Sequence, residues 1–162
     1  MSWEVKKILV PTDGSPKAEL AVAPALEIAR LKGAEIVVLS VLAAPFESSC
    51  FTGTGAAEGA QVIEELKVEL AQQSADRIVK RASEAGLSAR AVIRSGSPAD
   101  EILKVAEQED VDLIVMGTKG ATGTRRLLGS VTMSVISHAP CPVLAVREKE
   151  YTLPLYERAR RM

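Results

Sequence analysis

The run Ile36-Val-Val-Leu-Ser-Val-Leu42 is continuously apolar and β-branched, interrupted only by Ser40. A strand of this kind loses stability on any face left in water, so it belongs at the centre of a sheet covered on both sides. Sheets covered on both sides are built from parallel strands joined by helices, and the rest of the chain supplies matching pieces. Lys7-Ile-Leu-Val-Pro11, Val111-Asp-Leu-Ile-Val-Met116 and Pro142-Val-Leu-Ala-Val146 are further short apolar runs. Leu87 to Arg94 alternates apolar and polar residues, as a strand with one wet face does.

The segments between these runs read as helices. Ser15 can cap a helix and Pro16 fits its first turn, so the spacing predicts a helix to about Leu31 with Leu20, Ala21, Leu26, Ile28 and Leu31 facing a core and Gly33 ending it. Pro24 lies inside that pattern and removes a backbone donor, which predicts a kink or an irregular first turn there. From Gln61 to Glu84, Val62, Ile63, Leu66, Leu70, Ala75, Ile78 and Val79 recur at helical spacing, and Gly86 follows as a stop. Ser97 is a candidate cap, with Pro98 opening a helix, Asp100 at the acidic capping-box position and Ile102, Leu103, Val105 and Ala106 facing inward. Ala43 to Ala60, with Pro45, Ser48, Ser49, Gly53, Gly55 and Gly59, has no period and predicts a long loop, either disordered or a lid.

A chain of 162 residues with this alternation predicts one α/β domain with a mainly parallel sheet and right-handed crossovers, followed by a charged tail from residue 148 to 162. The tail is expected either to fray or to pack on another subunit. Twenty basic and 21 acidic residues leave a formal net charge of -1, so no general field draws the chain to nucleic acid or to an anionic membrane. No apolar stretch approaches the roughly 20 residues of a membrane span, and a cytoplasmic protein is expected. Cys50 and Cys141 lie too far apart in sequence for a metal or redox motif and read as free thiols; the lone His138 cannot complete a metal site and reads as a helix-end residue.

Open parallel sheets take ligands beyond the carboxyl ends of their strands, where the strand order reverses. Two turns compete for that place: Pro11-Thr-Asp-Gly-Ser15 and Met116-Gly-Thr-Lys-Gly120. Glycines at 117, 120, 123 and 129 let backbone amides approach an anion, Ser130 at a helix start adds a hydroxyl and free N–H groups, and Lys119, Arg125 and Arg126 add positive charge. Each feature has a plainer reading: glycines serve turns, Ser130 caps a helix, and Asp13 before Gly14 makes an Asx turn. Their clustering favours a phosphate cradle.

Gly117-Thr-Lys-Gly120 followed by Gly129-Ser130 resembles the glycine motif of the ATP-binding universal stress proteins. The likeness extends to Lys7-Ile-Leu-Val-Pro-Thr-Asp-Gly-Ser15, the strand ending at Val41, Gly96-Ser-Pro-Ala-Asp-Glu-Ile-Leu103 and the stretch from Ser130 to Val143. It implies a universal stress protein domain over residues 1–147. The expected fold is a five-stranded parallel sheet in the order 3-2-1-4-5 with helices on both faces, similar to the adenine-nucleotide alpha-hydrolase and flavodoxin folds. It also implies roles: Pro11 and Thr12 lining the base pocket, Asp13 near the ribose or a phosphate-bound cation, and Val41 holding adenine through its backbone. Met116 and Gly117 would border the ribose, Thr118 would be a further nucleotide contact, and Gly120, Gly129, Ser130, Val131 and Thr132 would take the phosphates. ATP or another adenine nucleotide is the implied ligand, with magnesium or manganese bound through the phosphates alone, and the last strand is the implied homodimer edge.

No histidine or carboxylate pair near the loop could serve as a general base, so no catalytic residue is assigned and at most slow ATP hydrolysis is expected. A regulatory stress-response module that couples the nucleotide to an unknown protein partner is the first reading. Only eight residues, Ala121 to Leu128, separate Gly120 from Gly129, where the family motif has nine. That difference supports the alternative, a dimeric interaction module of the same family that does not bind ATP. Enzymes on similar sheets fit less well, since the chain has no His-x-Gly-His, no Ser-Gly-Gly-x-Asp-Ser and no flavodoxin-type phosphate loop after the first strand.

Overall fold

The computed structural model describes residues 3–43, 54–118 and 128–148. Five strands, β1 (Lys7–Thr12), β2 (Glu35–Leu42), β3 (Ala89–Ser95), β4 (Leu113–Gly117) and β5 (Val143–Val146), form one sheet in the order β3-β2-β1-β4-β5. Every pairing is parallel, with Ile8 opposite both Ile36 and Leu113. The helices α1 (Pro16–Glu19), α2 (Val22–Lys32), α3 (Thr54–Glu84), α4 (Pro98–Gln108) and α5 (Ser130–His138) fill the crossovers. This is the order and class that the sequence predicts. Among the described residues, no helix is long and apolar enough to cross a membrane.

The two-residue period of a strand divides the core into two layers. Ile8, Val10, Ile36 and Val38 point to one face, where Ala21, Val22, Ala25 and Ala29 of the α1–α2 segment and Ala75, Ile78 and Ala82 of α3 cover them. Leu9, Val37, Leu39 and Ile114 point to the other, under Ile102, Val105 and Ala106 of α4 and Val135 of α5. Both faces of Ile36 to Leu39 are therefore dry, as a continuously apolar strand requires.

Three expectations are corrected in detail. The first helix is two: Ser15 caps α1 by accepting from the Ala18 N–H at 3.2 Å, the chain breaks at Leu20 and Ala21, and α2 begins at Val22. Pro24 then falls at the third residue of α2, where its missing N–H has no intrahelical partner to lose. The inward face of this region carries mainly alanines, which let the helix sit close to the sheet, while Leu20 and Leu31 turn outward and Leu31 is 69% exposed. Second, the unperiodic stretch is shorter than expected, because α3 begins at Thr54 and takes in Gly55 and Gly59; residues 44–53 lie outside the described residues. Third, only the carboxyl-terminal part of α3 packs: Ala75 and Ile78 are buried, but Val62, Ile63, Leu66 and Leu70 stand in solvent. Ser97 holds the cap position of α4 without a side-chain cap bond, and the Glu101 N–H reaches its carbonyl instead at 2.9 Å.

Ion pairs tie the amino ends of the strands together. Arg90 of β3 bonds Glu35 of β2 at 3.1 Å and also Glu109, while Lys7 of β1 donates to the Glu109 carbonyl at 2.8 Å. The Arg90 guanidinium holds the Glu109 carboxyl below its ordinary value, with Lys7 adding to the effect. A lowered folded-state value means stabilisation that is fully present above the ordinary carboxylate range and lost as pH falls from there through the lowered folded-state value.

Ile78→Ala is expected to cost about 2–5 kcal/mol in urea unfolding, and Leu31→Ala less than about 0.5 kcal/mol. Replacing Glu109 by Gln should flatten the loss of stability between neutral pH and about pH 3 relative to the parent chain, read from unfolding midpoints across that range.

Candidate nucleotide-binding cleft

β1 pairs with β2 on one edge and β4 on the other, so the crossovers leaving β1 and β4 diverge to opposite sides at their carboxyl ends. A cleft of about 160 Å³ opens there. Pro11, Thr12, Asp13, Val41, Met116, Gly117, Val131 and Thr132 line it, and the fold thereby brings together eight of the twelve residues proposed from the sequence. Thr118, Gly129 and Ser130 are not among the lining residues, although Thr118 follows Gly117 and Ser130 precedes Val131 in the chain, and Gly120 lies outside the described residues, as do Lys119, Arg125 and Arg126.

The β1–α1 turn is built by its own side chains. The Thr12 hydroxyl accepts from the Gly14 N–H at 3.0 Å, and Asp13 Oδ1 accepts from the Ser15 N–H at 2.9 Å. Asp13 is thus an Asx-turn residue and a rim residue at once. Gly14 adopts φ +77°, and a Cβ there would stand 2.8 Å from Ser74 Oγ of α3. Gly117 has a structural duty of its own, since a Cβ would sit 2.8 Å from the Lys17 carbonyl oxygen of α1.

Backbone alternation gives Val41 its character. Glu35 donates its N–H to Lys6 on the β1 side, and the Leu42 carbonyl accepts from Gly96 on the β3 side. Odd-numbered β2 residues therefore face β1, and Val41 is one of them. The β1–β2 ladder ends at Thr12 opposite Ser40, so the Val41 carbonyl lies one step past it, at the cleft.

At the other end stands the amino terminus of α5. Gly129 is its cap residue, and the first intrahelical bond runs from the Met133 N–H to the Gly129 carbonyl at 2.9 Å. The N–H groups of Ser130, Val131 and Thr132 precede that bond and have no helical acceptor, which makes this end of the helix favourable to an anion. Ser130 is the first helical residue and not the cap. The buried Thr132 hydroxyl donates to the Gly117 carbonyl at 3.1 Å, so it is committed to joining α5 to β4. The Gly129 N–H donates to the Thr118 carbonyl at 2.8 Å, and the Thr118 N–H to Val146 at 3.2 Å, which fixes both ends of the glycine-rich segment.

Ala18, Leu39, Pro98 and Ile102 also line the cleft and were not proposed from the sequence. Two had a signal: Leu39 shares a face with Val41 by the period of two, and Ile102 belongs to the inward stripe of α4. Away from the cleft, His138 Nδ1 lies 2.9 Å from the Ser134 carbonyl at the end of α5. Cys141 packs against the sheet, and burial pushes its thiol up, away from the reactive thiolate. No group of three or more potential metal ligands occurs among the described residues.

The chain belongs to the universal stress protein family, whose profile matches residues 4–147. It is 41% identical over 144 residues to universal stress protein MJ0531 of Methanocaldococcus jannaschii, covering 88% of this chain and 82% of that protein. The solved structure of MJ0577 from the same organism superposes with a TM-score of 0.76 at 35% identity, covering 90% of this chain and 98% of that one. Two more distant structures share the fold at 21% identity. One is the universal stress protein of Archaeoglobus fulgidus in complex with dAMP (TM-score 0.66, 90% of this chain and 100% of that one). The other is a family protein of Arabidopsis thaliana with AMP bound (TM-score 0.65, 93% and 96%).

Gly117→Ala should cost about 1–3 kcal/mol in urea unfolding, because the clash is with backbone that cannot swing aside.

Proposed function

We propose that this protein is an adenine-nucleotide-binding universal stress protein, with ATP as its ligand, working as a nucleotide-dependent regulatory module. The observation that carries this reading is the pairing of two unlike groups at one cleft: a strand carbonyl past the end of its ladder at Val41, and unpaired helix N–H groups at Ser130 to Thr132. An exocyclic amine of adenine can donate to the first, and phosphates accept from the second. Leu39, Val41, Ile102 and Met116 offer the apolar walls a base ring needs between them. The dAMP and AMP complexes on this fold are consistent with such a ligand.

The short spacer weighs less than its sequence suggests. The described residues on either side of the segment that holds it, Thr118 and Gly129, are joined by the Gly129 N–H to the Thr118 carbonyl at 2.8 Å, which supports a position for the α5 amides that does not depend on the spacer's length. A magnesium or manganese ion would enter with the phosphates, near the Asp13 rim. We further propose a homodimer through β5, whose outer edge has no strand partner among the described residues and whose Leu144 is exposed. Sedimentation showing a monomer at micromolar concentration would contradict that part.

Titration with a fluorescent ATP analogue and magnesium is expected to saturate below millimolar concentration. Ser130→Pro removes one amide donor at a position that helices accept, so it should weaken affinity about tenfold, the equivalent of about 1.4 kcal/mol, while leaving the unfolding midpoint nearly unchanged. No saturable binding at millimolar nucleotide would sink the proposal and favour the interaction module.

A further inference from the structure

α3 is 31 residues long, about 46 Å, whereas the eight-residue strand β2 is about 26 Å. It descends from the carboxyl ends of the strands to their amino ends, and its buried residues begin at Ala75. The amino-terminal half therefore overhangs the carboxyl end of the sheet. On it Val62, Ile63, Leu66 and Leu70, at helical spacing, are 64%, 56%, 52% and 53% exposed. Four large aliphatic side chains on one stripe constitute an apolar face that is exposed among the described residues. By helical spacing one flank of the stripe is acidic, with Glu65 and Glu69, and the other carries Lys67, which pairs with Glu64 at 3.6 Å.

We propose that this half of α3 is the docking surface for residues 149–162 of the same chain. Their sequence is complementary: Leu153, Leu155 and Tyr156 supply apolar side chains, and Arg158, Arg160 and Arg161 supply positive charge. A second copy of α3 packed antiparallel would instead set the Glu65 and Glu69 flank against itself. Position agrees as well. β5 ends at Val146 at the same end of the sheet that α3 overhangs, and β2 lies three strands away, about 14 Å across the sheet. Fourteen residues from 149 to 162 can span about 46 Å, enough to cross to Leu66 and lie along the stripe. Burying the stripe removes from water the only large aliphatic side chains of α3 that its own packing leaves out on that face.

Hydrogen exchange on the full chain and on a version ending at Glu148 tests this. Removal of 149–162 is expected to speed amide exchange of residues 62–70 several-fold, and the 149–162 peptide added back should restore protection. In the full chain, Leu66→Lys should speed tryptic cleavage after Arg158 several-fold with the helix content unchanged. Equal exchange in the two versions, or an unaltered cleavage rate, overturns the proposal. So does protection that disappears on dilution, which would assign the stripe to a second copy.

Discussion

β1 is paired on both edges and covered on both faces, and every other element is located relative to it. Its edges fix β2 and β4, its alternating side chains divide the core between the α2–α3 and α4–α5 layers, and its carboxyl end carries the turn that rims the cleft. The chain runs outward from β1 first to β2 and β3 and then, in its second half, to β4 and β5. That change of direction separates the loops after β1 and β4 and produces a cleft without any residue being dedicated to holding it open.

The cleft is held by contacts that double as packing. Gly117 lets the α1 backbone approach β4, the Thr132 hydroxyl ties α5 to Gly117, and the Gly129 amide closes on Thr118. These three contacts converge on the turn after β4. They hold the amino terminus of α5, whose first amides have no acceptor within the helix, at the same cleft as the turn built by Thr12 and Asp13. A ligand here would meet donors already aligned, so little ordering would accompany its binding.

Most of this arrangement was legible because it follows from short-range rules. Two-residue alternation assigns Leu39 and Val41 to one face, and the glycine spacing marks the turn after β4. Less legible were the features set by distances between elements. Gly117 reads as a ligand contact from its neighbours in sequence, yet the fold also needs it beside Lys17 of α1. Thr132 reads as a phosphate contact, yet its hydroxyl is spent on Gly117. The stripe from Val62 to Leu70 has the period of a buried face, but period reports only that a helix has an apolar side; the sheet is too short to cover all of α3. The split at Leu20 follows from Pro24 and from alanines that bring α2 close to the sheet, a preference that helical spacing alone does not carry.

Nuclear magnetic resonance of the nitrogen-15-labelled chain, with a non-hydrolysable ATP analogue and magnesium added stepwise, reads nucleotide binding at the cleft residue by residue. A nucleotide in the cleft should give saturable shifts at the amides of Ser130, Val131 and Thr132 together with those of Asp13, Val41 and Leu42, and little change at the amino-end cluster around Arg90. Shifts absent at millimolar nucleotide, or confined to surfaces away from these residues, would contradict it.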